Sequence, residues 1–236
     1  MIDIHSHILP GVDDGARDFD DSLKMLRELE KNRITHVICT PHYIDATNYS
    51  SPAAENRKIF RELKAKAKEA SINVKLYLGN EIYLTENLFA LIKTGKIIPL
   101  NDSSFLLIEL PLSGEYSNYE SIFKLLIRAG WHVVLAHPER YRSLQKNYDL
   151  ALDLRNSGVH FQCDLGSLLG QYGASAKKLV KRLAKDHLIF AFGSDIHRAH
   201  LERPDRWHKA VVKLLDYYKP DELEQLLDKN ALVMLH

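Results

Sequence analysis

Short apolar runs alternate along the chain with longer stretches in which apolar residues return every three or four positions. The short runs lie near 2–5, 34–39, 74–79, 105–110, 132–136, 159–163 and 188–192. Most are apolar on both faces, as buried parallel strands are. Between them, Phe19, Leu23, Leu26 and Leu29 repeat at helical spacing. Ser51-Pro52 reads as a helix start with proline at the first helical position, and Ile59, Phe60, Leu63 and Ala67 form the stripe that follows. Further helices are predicted near 86–94, 118–129, 147–157, 174–186, 205–217 and 221–230. Gly95, Gly130 and Gly158 follow three of them, where C-terminal caps favour glycine. Seven strand–helix units in a single domain over residues 1–236 predict an α/β fold, a barrel of irregular form. A doubly wound open sheet is the competing architecture.

Composition narrows the class without naming a chemistry. The 236 residues carry 32 Lys plus Arg against 31 Asp plus Glu, a net charge of +1. Nothing in that balance calls for nucleic acid or an anionic membrane as partner. Two cysteines, Cys39 and Cys163, lie in apolar runs and read as buried thiols, not as a disulfide framework or zinc site. The opening Met-Ile-Asp-Ile-His has no basic stretch leading into an apolar one, and no apolar run reaches the roughly 18 residues of a membrane span. The cytoplasm is the expected location, and the oligomeric state is left open.

The polar residues able to bind metal fall where strands end. Asp3-Ile4-His5-Ser6-His7, Thr40-Pro41-His42, Gly79-Asn80-Glu81, Ile108-Glu109-Leu110-Pro111, Ala136-His137-Pro138-Glu139-Arg140 and Gly193-Ser194-Asp195-Ile196-His197 each close an apolar run. In a parallel barrel those ends share one face, so these segments converge. His5 and His7 are two residues apart on a strand end and reach the same side; Asp195 and His197 repeat the spacing. Alone, a strand-end histidine is ordinarily a solvated loop residue, and Val12-Asp13-Asp14-Gly15 is ordinary turn chemistry. The whole set carries the reading, because polar groups gathered at buried strand ends need a partner. The histidines at 36, 132, 160, 187, 200, 208 and 236 lack that placement and read as structural or surface residues.

These motifs, in this order from residue 2 to about 204, resemble the polymerase-and-histidinol-phosphatase superfamily, and more narrowly the bacterial tyrosine phosphatases of capsule and exopolysaccharide operons. The resemblance implies a distorted seven-stranded (β/α) TIM-like barrel and a three-metal centre, usually manganese-activated, with iron or zinc compatible with the same ligands. It gives His5, His7, Glu81 and Asp195 to one ion. Glu81 bridges to a second, completed by Glu109 and His137. Asp14, His42 and His197 hold the third. Asp14 and Glu109 stand where the other branches more often carry histidine. The resemblance assigns Arg140 and Arg203 to the substrate phosphate, with Arg198 and Arg206 as rivals of Arg203. It implies phosphotyrosine hydrolysis by metal-activated hydroxide, on the tail of a bacterial tyrosine autokinase that controls polysaccharide synthesis. Tyr43, Tyr49 and Tyr116 are candidates to pack against the phenyl ring.

A cysteine-based route does not fit, since it needs arginine six positions after the thiol. Asp45 stands there after Cys39 and Leu169 after Cys163. The alternatives are a small-molecule phosphomonoesterase such as histidinol phosphatase, an exonuclease, which near-neutral charge disfavours, and a metal-stabilised binding protein without turnover.

Overall fold

Nine parallel strand segments carry the apolar runs in the computed structural model, which describes residues 1–112, 119–199 and 206–235. They are β1 (Ile2–Ser6), β2 (His36–Cys39), β3 (His42–Tyr43), β4 (Lys75–Leu78), β5 (Glu81–Tyr83), β6 (Phe105–Glu109), β7 (His132–Ala136), β8 (His160–Asp164) and β9 (Ala191–Gly193). One sheet has the order β1-β2-β4 and the other β3-β5-β6-β7-β8-β9, and every pairing is parallel. The two meet where β9 runs past β1: the Asp195 N–H donates to the His5 carbonyl at 2.9 Å, and the His7 N–H to the Ile196 carbonyl at 3.0 Å.

The α/β class is as expected from the sequence, and the strands form a curled parallel sheet in two parts, of three and six strands. The physical reason lies at two breaks. Pro41 cannot donate to a ladder, and it separates β2 from β3. Gly79-Asn80 separates β4 from β5 at the same level. Asn80 mends the gap: its Nδ2 donates to the Pro41 carbonyl at 3.1 Å, and its Oδ1 accepts from the Ile98 N–H at 2.8 Å.

The helices are α1 (Phe19–Lys31), α2 (Ala53–Glu69), α3 (Leu88–Lys93), α4 (Tyr119–Arg128), α5 (Arg142–Lys146), α6 (Asp149–Asn156), α7 (Leu165–Leu169), α8 (Gly173–Lys185), α9 (Arg206–Leu214), α10 (Pro220–Glu224) and α11 (Asn230–Leu232). Pro52 caps α2 and does not open it as a helical residue. The helix expected over 221–230 is divided by a π-helical turn, Gln225–Lys229. Two five-residue helices, α5 and α7, were not foreseen, because a single turn has no repeat to read.

Strand alternation sorts the core into two faces. Leu106, Ile108, Val133 and Leu135 pack with Leu26, Leu63, Phe123 and Leu154 from the helices. Phe105, Leu107, Val134 and Ala136 join Ile2, Ile4, Ile38 and Ala191 in a second cluster, which Ala231 and Met234 complete. The same alternation puts Phe161 and Cys163 of β8 against the helices. Gln162 and Asp164 therefore point to the opposite face, although both are fully buried.

Candidate metal centre

All nine side chains that the motifs select as ligands come together, from β1 and the loop after it, the starts of β3 and β5, and the ends of β6, β7 and β9. Three groups of ligand atoms lie within 4.8 Å of one another: His5, His7 and Glu81; His42, Glu81 and Glu109; and His7, Asp14, His42 and His197. Asp195 joins the first group, its Oδ1 lying 3.4 Å from His5 Nε2 and 3.1 Å from His7 Nε2. His137 joins the second, its Nε2 2.9 Å from Glu81 Oε1 and 3.7 Å from Glu109 Oε1. Glu81 sits at the centre, fully buried.

The atoms around Glu81 fit a cation. His42 Nδ1, His5 Nε2 and His7 Nε2 approach Glu81 Oε2 at 3.0, 3.1 and 3.3 Å. Yet Glu81 Oε2 and His42 Nδ1 make no hydrogen bond of acceptable alignment. A buried carboxylate oxygen without a partner is costly. His5 Nε2 and His7 Nε2 are 3.1 Å apart. Two ligands each about 2.1 Å from one ion, at angles between 90° and tetrahedral, would stand roughly 3.0 to 3.4 Å apart. Imidazole and carboxylate donors without thiolate suit manganese, iron or zinc.

Charge is arranged to match. Burial opposes ionisation of Glu81, but His5, His42 and His137 hold its carboxyl well below the usual carboxylate range. Burial likewise opposes charge on His5, and Glu81 and Asp195 outweigh it, pushing the imidazole up to about 10. Burial and the Glu81 charge raise Glu109. The His197 hydrogen bond lowers Asp14 to about 2. Protons on these imidazoles and a divalent cation compete for the same oxygens, so metal binding would be coupled to proton release.

The backbone is bent to serve the cluster. His137 has φ 34° and Asp195 φ 51°, both in the left-handed region where residues with a Cβ carry strain. The Asp14 loop is pinned by Arg198, whose Nη1 donates to the carbonyls of Asp14, Gly15 and His197. That occupation places Arg198 in the scaffold of the loop. Arg140 lies at the cluster, with Nη1 2.7 Å from Asp195 Oδ2 and 3.5 Å from Asp164 Oδ2, and its guanidinium 4.4 Å from the Tyr172 ring centroid. Arg203, Tyr116, His200 and His236, with the side chain of Arg206, lie outside the described residues.

Two expectations about neighbours resolve differently. Tyr49 stacks on His42, with ring centroids 6.0 Å apart and planes 17° from parallel. Tyr43 is only 3% exposed and packs into the core, so it is corrected from a substrate contact to a core residue; on β3 it alternates with His42 and faces away from the site. Cys39 and Cys163 are free and buried, as read from their apolar runs. Burial pushes the Cys39 thiol up to about 12, far from a nucleophilic thiolate.

Sequence reasoning overlooked the residues that orient the ligands. Asp13 Oδ2 accepts from His7 Nδ1 at 2.7 Å and from the His42 N–H at 2.9 Å. The signal was there: Asp13 and Asp14 are adjacent, and only the outer one was taken. Gln162 and Asp164 were visible too, as alternate polar residues in a strand otherwise apolar enough to be buried.

A parallel α/β sheet whose strand ends gather side chains from distant segments into groups able to hold metal defines the class of protein. Within that class, the chain belongs to the CpsB/CapC family of capsular polysaccharide synthesis, whose model matches residues 1–236. It is 33% identical to CapC of Staphylococcus aureus over 99% of this chain and 91% of that one. It is 32% identical to YwqE of Bacillus subtilis strain 168, named a tyrosine-protein phosphatase, over 100% of this chain and 91% of the relative. A solved structure reported for YwqE and for CpsB of Streptococcus pneumoniae, described as metal-dependent tyrosine phosphatases, matches with a TM-score of 0.89 at 32% identity. It covers 100% of this chain and 94% of that one. These findings bear out the resemblance carried by the motifs. A lactonase from Listeria monocytogenes shares the fold alone, with a TM-score of 0.57 at 11% identity over 98% of this chain and 92% of the other. The fold therefore does not choose the reaction.

Proposed function

We propose that this chain is a metal-dependent protein-tyrosine phosphatase. The observation that carries the reading is the convergence of nine imidazole and carboxylate side chains, from six separate segments, around the buried carboxylate of Glu81. His5, His7, Glu81 and Asp195 would hold one divalent ion, Glu81, Glu109 and His137 a second, and Asp14, His42 and His197 a third, with manganese as the expected metal. Residues 1–236 are read as one domain, a seven-stave barrel in which β2–β3 and β4–β5 are each one interrupted stave. The backbone bonds between the β9 end and β1 support that closure.

When bound, the ions supply Lewis acidity and lower the pKa of water toward neutrality. The chain's own groups then position the phosphate. Both Arg140 ion pairs run through Nη1, which leaves the other edge of the planar fork to grip phosphate oxygens. Arg203 is a second candidate for the same task. Tyr49, stacked on His42 at the rim, offers a face for an aromatic leaving group. A tyrosine leaving group has a pKa of about 10, so demand for a general acid is modest. Asp14 and His197 have side chains 51% and 26% exposed, and an open rim of that kind suits a phosphotyrosine on a flexible kinase tail. Two free thiols suit a reducing compartment, and the cytoplasm is the location we assign. Among the described residues no helix is long and apolar enough to cross a membrane.

A substrate panel tests this reading. The chain, with manganese and then after chelation, is offered a phosphotyrosine peptide, a phosphoserine peptide, histidinol phosphate, mononucleotides and single-stranded DNA. The expected result is preference for phosphotyrosine, lost on chelation and restored by manganese. Preference for histidinol phosphate or DNA would overturn the assigned substrate. Failure to hydrolyse any of them, with metal shown by elemental analysis, would leave only a binding role.

A further inference from the structure

Gln162 and Asp164 stand two residues apart on β8, fully buried on the face that carries the metal-ligand cluster. A hydrogen-bond chain runs through them. His5 Nδ1 lies 2.8 Å from Gln162 Oε1, and Gln162 Nε2 donates to Asp164 Oδ1 at 3.0 Å. Arg140 Nη1 donates to Asp164 Oδ2 at 3.5 Å and to Asp195 Oδ2 at 2.7 Å.

The orientation of the amide is forced. The His137 N–H can only donate, so the oxygen of the Gln162 amide must lie on its side, and Nε2 then turns toward Asp164. Its Oε1 then faces His5, and it also accepts from the His137 N–H at 3.4 Å. A carbonyl oxygen cannot donate, so His5 must carry a proton on Nδ1. That leaves Nε2 aimed at Glu81 and Asp195, where an ion would sit.

This chain crosses a strand. β9 lies between β8 and β1, and the His5–Gln162 bond passes over it at Gly193. A Cβ on Gly193 would lie 2.6 Å from His5 Cβ and 2.9 Å from Gln162 Nε2. Glycine is required here by close approach, not by its dihedral angles.

Arg140 is shared by two carboxylates with different obligations. Asp195 presents its Oδ1 to His5 and His7, so as a ligand it would lend part of its charge to an ion. Asp164 belongs to none of the three ligand groups.

We propose that Gln162 and Asp164 are positioning residues that tie the His5 imidazole to the Arg140 guanidinium, so that one hydrogen-bond chain over Gly193 sets both metal and phosphate affinity. The proposal rests on the metal-phosphatase reading above. Three single variants, Gln162→Met, Asp164→Asn and Gly193→Ala, and the Gln162→Met/Asp164→Asn double variant are compared with wild type. Folding is checked by circular dichroism, manganese affinity by calorimetric titration of the stripped protein, and KM and kcat with p-nitrophenyl phosphate. Gln162→Met and Gly193→Ala are expected to weaken manganese binding by about ten- to a hundredfold, the usual cost of losing a group that orients a ligand. Asp164→Asn is expected to raise KM about tenfold with a smaller change in kcat. The Gln162→Met and Asp164→Asn effects on KM should be non-additive, as for two links of one chain. Wild-type manganese affinity and KM in folded Gln162→Met would overturn the proposal. Should Asp164→Asn or Gly193→Ala fail to fold, Gln162→Met decides alone. If that variant also fails, Gln162→Asn, whose arm is too short to reach both partners, is measured in its place. A wild-type chain that binds no manganese or hydrolyses no aryl phosphate would sink the function itself, whereas an active wild type with unaffected variants would sink only this coupling.

Discussion

Three of the five imidazoles at this centre are held from behind by a group that fixes which nitrogen looks forward. Asp13 does so for His7, Gln162 for His5, and the Asp195 carbonyl, 2.9 Å from Nδ1, for His197. Asp13 works twice, since the same Oδ2 anchors the His42 N–H. Asp13→Ala should therefore weaken manganese binding by about ten- to a hundredfold. Elemental analysis after dialysis against graded manganese checks it, and full retention would show that His7 needs no partner. The candidate ligands other than Asp14 were legible because each interrupts or closes an apolar run, whereas Asp14 came only with the family resemblance. Their partners were not, because a carboxylate in Val-Asp-Asp-Gly is indistinguishable from turn chemistry until the loop folds back onto His7. Tyr43 shows the converse: a loop position in the sequence became a two-residue strand whose alternation sends the ring into the core.

At the scale of elements, apolar periodicity located the strands and the long helices, since burial acts on every turn or every second residue. It could not locate the breaks at Thr40-Pro41 and Gly79-Asn80, which depend on lost ladder bonds and not on hydropathy. Nor could it place α5 and α7, single turns that follow the ends of β7 and β8. The start of α1 is a simpler case. Asp18 caps it, its Oδ1 accepting from the Asp21 N–H at 2.8 Å. Asp18→Ala removes that acceptor and should cost about 1 kcal/mol. Thermal unfolding should then show a midpoint lower by about 2–4 °C in a chain of this size. An unchanged midpoint would mean that packing of Met25, Leu26 and Leu29 holds the helix without its cap.

The whole molecule carries a pH response remote from the metal centre. His160 opens β8 at the opposite end of the sheet, its ring centroid 4.3 Å from that of Phe190 and 6.2 Å from that of Phe105. Burial, then the charges of Arg155 and His132, lower it from an ordinary value of 6.5 to about 4. Between those values the unfolded chain binds a proton that the folded chain refuses. Stability from this group is complete above about 6.5 and is lost as pH falls toward 4. His160→Phe should flatten that part of the profile of unfolding midpoint against pH for the metal-free protein. An identical slope in wild type and variant would assign the acid sensitivity to the carboxylates elsewhere.

The join between β9 and β1 has a consequence for biosynthesis. Asp195 and His197 reach the cluster only when the Asp195 N–H finds the His5 carbonyl, across 190 positions of chain. On the ribosome, the first histidines emerge long before the last ligands exist. A nascent chain can present His5 and His7 to passing ions, but it cannot enclose one. If the cluster holds ions as proposed, it could enclose them only after the final strand docks.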